Sequence, residues 1–170
     1  MITRTHTATD GTVSKAIYTD CELYRYVLTR TWDGDGTNRA VFIGLNPSTA
    51  TEYQNDPTVA RCINYAKAWG HDSMTMLNAF AYRSTDPKGL KTIEDPVGEG
   101  NDRYILRECK KGTRIILCWG THAAYLERGT KLLTKLNGLS QELTCLKITK
   151  AGHPSHPLYL RKDLLPIPYS

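Results

Sequence analysis

The chain has no CxxC pair, no apolar run of membrane-spanning length and no dense block of basic residues. Each absence removes a class of protein. Its five cysteines, Cys21, Cys62, Cys109, Cys118 and Cys145, are an odd number without paired spacing. That excludes a zinc ribbon or a disulfide framework and points to reduced thiols in the cytoplasm. The apolar stretches fall far short of the roughly 20 residues that a bilayer requires. Thr3 to Thr9 is polar where a signal peptide would carry its apolar core, so an intracellular protein without a membrane role is expected. P-loop, dinucleotide, HExxH and GxSxG patterns are missing. No Asp, His or Cys set has the spacing of a metal site, so neither a metal nor a cofactor is expected. Net charge is +5, with Lys and Arg spread along the chain; this balance permits an anionic ligand without requiring one.

What the chain does have is one organising stretch, Phe42-Ile43-Gly44-Leu45-Asn46-Pro47-Ser48-Thr49-Ala50. Residues 40–45 are apolar, as a buried strand requires. Pro47 removes a backbone donor and disfavours helix for the residue before it. The strand therefore ends in a turn that presents Asn46, Ser48 and Thr49 at its carboxyl end, the edge where open α/β sheets bind ligands. The alternative is that Asn-Pro-Ser merely closes a turn. With 170 residues, 40% of them hydrophobic and 23% charged, the chain fits a single domain over residues 1–170.

Tyr24 to Arg30 alternates large and polar residues, Asp33-Gly34-Asp35-Gly36 is a turn signal, and Arg39 to Leu45 returns; this reads as an N-terminal β-hairpin. Met1 to Thr12 is either a frayed terminus or an added strand. Asp56-Pro57 opens a helix with Val59, Cys62, Ile63 and Ala66 on its apolar side and Trp69-Gly70 at its end. A short strand, Met74 to Leu77, ends at Asn78. A helix over Asn101 to Lys111, a strand over Arg114 to Trp119, a helix from Thr121 to about Leu136 and a strand over Leu143 to Ile148 follow. From Ala40 onward this alternation predicts an α/β fold, three layers α/β/α around a mainly parallel central sheet.

Parallel strands would bring their polar ends to one edge. Asn46, Asn78, His122, His153, Ser155 and His156 would then converge on a single cleft, with Gly44, Leu45, Pro47, Ser48, Thr49, Phe80, Trp119 and Gly120 lining it. Amides read the donor and acceptor edge of a base, a histidine can donate to an oxygen that gains charge, and backbone N–H groups and serines hold phosphate. Blander roles are open for each. Asn78 would cap its strand, His122 would be a solvated first-turn residue, and His153 and His156 would brace a Pro-rich loop.

Gly44-Leu45-Asn46-Pro47-Ser48 together with His153-Pro154-Ser155 resembles the two motifs of the uracil-DNA glycosylase superfamily, although His156 stands before Pro157-Leu158 where the second motif has proline directly. Met76-Leu77-Asn78 resembles the strand whose last Asn reads the base. More of the chain resembles a domain-of-unknown-function family of bacteria and phages, through Arg25 to Arg30, Gly44 to Ala50, Asn55 to Thr58, Trp69-Gly70, Asp86-Pro87, Trp119-Gly120 and His156 to Leu160. The glycosylase resemblance implies a uracil-DNA-glycosylase-like fold and hydrolysis of N-glycosidic bonds of DNA bases. A base would be flipped into the cleft. Asn46 would position water, His153 or His156 would stabilise the departing base, Asn78 would read its edge, and Ser48 and Ser155 would contact phosphates. DNA and a nucleobase or nucleotide are the implied partners. The first motif carries no catalytic carboxylate, and Asp56 supplies one only if its loop folds back. This leaves a second expectation, a non-catalytic binder that sequesters a nucleotide or a nucleotide-derived signal. The oligomeric state is not readable from the sequence.

Overall fold

The computed structural model describes residues 1–170. Its eight strands are β1 (Ile2–Thr7), β2 (Val13–Tyr18), β3 (Arg25–Thr31), β4 (Arg39–Gly44), β5 (Ser73–Asn78), β6 (Arg114–Leu117), β7 (Leu143–Cys145) and β8 (Ile167–Pro168). They form one sheet in the order β1-β2-β3-β5-β4-β6-β7-β8. Three α-helices accompany it, α1 (Pro57–Ala68), α2 (Asn101–Lys111) and α3 (Arg128–Leu136).

This sheet overturns the expected mainly parallel, three-layer α/β/α, uracil-DNA-glycosylase-like fold. The pairings β1–β2, β2–β3, β3–β5 and β7–β8 are antiparallel, and only β4–β5, β4–β6 and β6–β7 are parallel. The difference arises at the two ends of the chain. Residues 1–18 supply two strands whose polar, threonine-bearing sequence carries no continuous apolar run, and the proline-rich tail adds β8 against β7. The expected N-terminal hairpin is also corrected. The strand over Tyr24 to Arg30 does not pair with the one over Arg39 to Leu45, because β5 lies between β3 and β4. The backbone N–H groups of Trp32 and Asp33 both donate to the Asp72 carbonyl, so the Asp-Gly turn crosses to the start of β5 and does not close tightly on itself. The N-terminal hairpins are β1–β2 and β2–β3.

The apolar run of β4 behaves as a doubly covered strand must. Val41 and Ile43 join a cluster with Ile105, Cys109, Leu132 and Leu136, on the side covered by α2 and α3. Ala40 and Phe42 join a second cluster with Val59, Cys62, Tyr65 and Ala66 of α1. Helix α1 starts as its sequence dictates: Asp56 Oδ1 accepts from the Val59 N–H at 2.9 Å, Pro57 opens the first turn, and the chain leaves at Trp69-Gly70. The expected continuous helix from Thr121 is broken. A 3-10 segment, Thr121–Glu127, ends where Leu126 and Glu127 take positive φ of 55° and 52°, and only then does α3 begin. The last expected strand is shorter, since β7 stops at Cys145 and Ile148 makes only an isolated bridge to Pro154. No helix is long and apolar enough to cross a membrane.

Candidate functional site

Gly44 ends β4 beside Asn78, which ends β5. A Cβ at Gly44 would lie 2.6 Å from Met76 Cε and 3.1 Å from Asn78 Oδ1, so glycine is what lets the Asn78 amide lie against the neighbouring strand. Asn46 Nδ2 donates to the Pro47 carbonyl at 3.0 Å and to the Ser84 carbonyl at 2.8 Å. Its amide nitrogen is thus committed to the shape of the turn.

The loop that follows is held from below by β3 and β2. Arg25 Nη1 donates to the Ala50 carbonyl at 2.9 Å. Arg30 donates through Nη2 to the carbonyls of Thr51 (2.6 Å) and Gln54 (3.0 Å), and through Nε to Asn55 Oδ1 (3.1 Å). Tyr18 donates its hydroxyl to the buried Glu52 at 2.8 Å. Two arginines five residues apart on a regular strand would point to opposite faces. Here the register shifts between Ile17 and Tyr18, which face Val27 and Arg25 respectively. Tyr26 is the extra residue of a β-bulge, and the bulge brings Arg25 to the same face as Leu28 and Arg30.

The turn, the loop and the start of α1 enclose a cavity of about 30 Å³, lined by Arg25, Leu45, Asn46, Pro47, Ser48, Asp56, Thr58, Val59, Met76, Asn78 and His156. That is room for about one water molecule or one or two oxygens of a larger group. Four buried side-chain polar atoms in the protein lack a hydrogen-bond partner, and two of them, Arg25 Nε and Asn78 Nδ2, belong to this lining. Both are donors. Arg25 is 1% exposed and makes no ion pair. Burial pulls its pKa down to about 10, and the field of Asp56 opposes this, so it remains a cation at neutral pH. Asp56 is close but occupied: Oδ1 caps α1 and Oδ2 accepts from the Ala50 N–H at 3.2 Å.

His156 closes the far side. Its Nδ1 accepts from the Leu158 N–H at 3.3 Å, which leaves the proton of the neutral ring on Nε2. Burial lowers its pKa from the ordinary 6.5, with Asp56 opposing and His122 reinforcing, so the ring is neutral at pH 7. Gly120, at φ +72°, passes close behind it; a Cβ there would lie 3.5 Å from the His156 Cβ. The lining therefore carries a buried guanidinium, an amide N–H, the Ser48 and Thr58 hydroxyls and an imidazole N–H against one carboxylate, Asp56, whose oxygens already accept backbone N–H groups; the uncommitted groups are mostly donors, which favours an acceptor-rich guest.

The residues expected to converge do so in part. Leu45, Asn46, Pro47, Ser48, Asn78 and His156 meet at the cavity, Gly44 lies beside it against Met76 and Asn78, and Thr49 is exposed on the loop above it. His153 is elsewhere, in a depression of about 340 Å³ shared with Trp119, Glu127 and Tyr169. Its backbone pairs with Thr149. The two histidines are three positions apart and face different depressions. Ser155 is buried and its N–H donates to the Lys147 carbonyl. Phe80 and Trp119 are core residues, and His122 is exposed. Sequence reasoning passed over Arg25 and Thr58. The available signals were an arginine in an otherwise large, apolar strand and a hydroxyl two residues after a helix-capping aspartate. Asp56 folds back as the sequence allowed, though both its oxygens already accept backbone N–H groups. No group of three or more His, Cys, Asp or Glu side chains is placed to hold a metal ion.

A family model described as proteins of unknown function, DUF1643, matches residues 25–158. The chain belongs to this family. The matched span opens on Arg25 and closes two residues after His156, so it contains every residue that lines the cavity and leaves out β1, β2 and β8. No curated protein and no solved structure matches the chain.

Proposed function

We propose that this member of the DUF1643 family is a nucleotide-handling protein that grips an anionic, oxygen-rich part of its ligand at the carboxyl ends of β4 and β5. One observation carries this reading: two buried donors, Arg25 Nε and Asn78 Nδ2, have no partner in the protein and line one cavity. An unpaired buried donor costs about 1–3 kcal/mol, more when charged, and a ligand oxygen removes that cost. The cavity is too small for a base, so a phosphate oxygen enters it and the remainder of the ligand lies outside, over Ser48, Thr58 and His156. The four buried cysteines are all free thiols, which fits the reducing cytoplasm where nucleotides are handled.

Sequestration fits this site better than hydrolysis. Both Asp56 oxygens already accept backbone N–H groups and the Asn46 amide nitrogen is spent on the turn, which leaves the Asn46 carbonyl oxygen to orient a water but no uncommitted carboxylate to deprotonate it. One observation favours cleavage of an N-glycosidic bond, the Nε2–H of neutral His156, which can donate to a departing base.

Calorimetric titration with nucleoside monophosphates and with inorganic phosphate tests the reading. The near-isosteric Asn78→Asp replaces a donor by a carboxylate beside Arg25 and should weaken both probes at least about tenfold. Equal affinity in wild type and Asn78→Asp, or no binding by wild type, would sink the proposal. Mass spectrometry of the bound nucleotide after denaturation separates the two modes: intact nucleotide means sequestration and free base means hydrolysis.

A further inference from the structure

We infer that Tyr159 is the platform on which the base of that nucleotide stacks; this rests on the nucleotide reading above and adds the part of the ligand that the cavity cannot hold. Tyr159 is 97% exposed, and its backbone sits at φ +67°. Both features are unfavourable. A bare aromatic ring forgoes the burial that drives folding, and the left-handed region is disfavoured for any residue with a bulky side chain. Strain of this kind persists only where the surroundings impose it.

The surroundings do impose it. On one side the Leu158 N–H donates to His156 Nδ1. On the other, Arg61 Nη1 donates to the Leu160 carbonyl at 2.8 Å, and the Tyr65 hydroxyl donates to the Arg161 carbonyl. Tyr159 is thus fixed between His156, which lines the cavity, and α1, whose Thr58 lines it one turn before Arg61. Three residues of chain reach at most about 10 Å, so the backbone that carries the ring is anchored within that distance of the His156 backbone. A mononucleotide matches this layout, with an oxygen-rich end for Arg25 and Asn78 and a flat ring for Tyr159. Stacking on an aromatic face tolerates any base, so Tyr159 provides affinity without strict base choice.

The test uses the full chain and two probes, a mixed panel of nucleoside monophosphates and inorganic phosphate. Tyr159→Gly suits the left-handed backbone, so it should melt at or above wild type. It should weaken the nucleotides about five- to hundredfold and leave phosphate unchanged. Tyr159→Phe should bind both probes like wild type. Nucleotide affinity that depends on Asn78 but survives Tyr159→Gly overturns the stacking role and leaves the cavity reading standing. Nucleotide affinity that depends on Tyr159 but not on Asn78 does the reverse. A fall in melting temperature that accompanies the loss in Tyr159→Gly would mark Tyr159 as a packing residue and overturn the inference, and silence of wild type toward both probes would overturn both ideas.

Discussion

A depression of about 600 Å³ beside α2 and the 30 Å³ cavity at the end of β4 lie on either side of the start of β3, and they are opposites. The larger is lined by Tyr24, Tyr26 and Tyr104, and it looks more like a binding site by size. Yet Tyr24 and Tyr26 donate their hydroxyls to the carbonyls of Asp95 and Glu99, and Tyr26 stacks on Tyr104 at 5.0 Å between ring centres. The Tyr24 and Tyr26 hydroxyls are occupied with holding the segment before α2 in place. The smaller has almost no room, but two of its donors are unanswered. Unsatisfied chemistry, more than volume, separates a site from a crevice.

The strongest way to break this contrast is to release the loop that roofs the small cavity. Arg30→Ala removes three loop contacts at once and should cost about 3 kcal/mol in urea unfolding. A loss under about 1 kcal/mol would mean that the loop holds itself. Next comes Gly44→Ala, which forces Met76 and the Asn78 amide to move. It should cost about 1–2 kcal/mol and weaken nucleotide binding, as titration would detect; unchanged binding would remove Asn78 from the site. Tyr26→Phe sharpens the contrast from the other side, with about 1 kcal/mol lost and ligand affinity untouched. Were binding to fall, the large depression would be the site.

The smallest effect is on pH dependence. Burial lowers the pKa of His156 and, with help from Arg114, that of His71. As pH falls below the ordinary 6.5, the unfolded chain takes up protons that these folded rings refuse. Stability is therefore full above that value and declines through the window below it. His156→Gln should flatten the decline in melting temperature between pH 7 and pH 5, and an unaltered slope would assign it elsewhere.

The parts of the site legible in the sequence are those set by local chemistry. Asn46-Pro47 stops a strand wherever it occurs, Asp56-Pro57 starts a helix, and Asn78 closes an apolar run. The illegible parts depend on pairing between distant segments. Arg25 reads as an outward polar residue in an alternating strand, and only the bulge opposite Ile17 and Tyr18 turns it inward. The α/β alternation that suggests a parallel sheet begins at Ala40, whereas β1 and β2 have too little apolar pattern to announce themselves. His153 and His156 were indistinguishable because their separation depends on which backbone groups of residues 147–154 pair.

The insertion of β5 between β3 and β4 has a kinetic consequence. Leu28 pairs with Met76, and His156 arrives much later in the chain, so the cavity joins segments from almost the whole sequence. Such non-local closure is slow, because loop entropy must be lost before the contacts form. A chain emerging from the ribosome can form α1 and the β1–β2–β3 meander early, but its buried arginines stay solvated until β5 docks. The cavity is then among the last features to mature, and anything that binds there would favour the completed fold over its precursors.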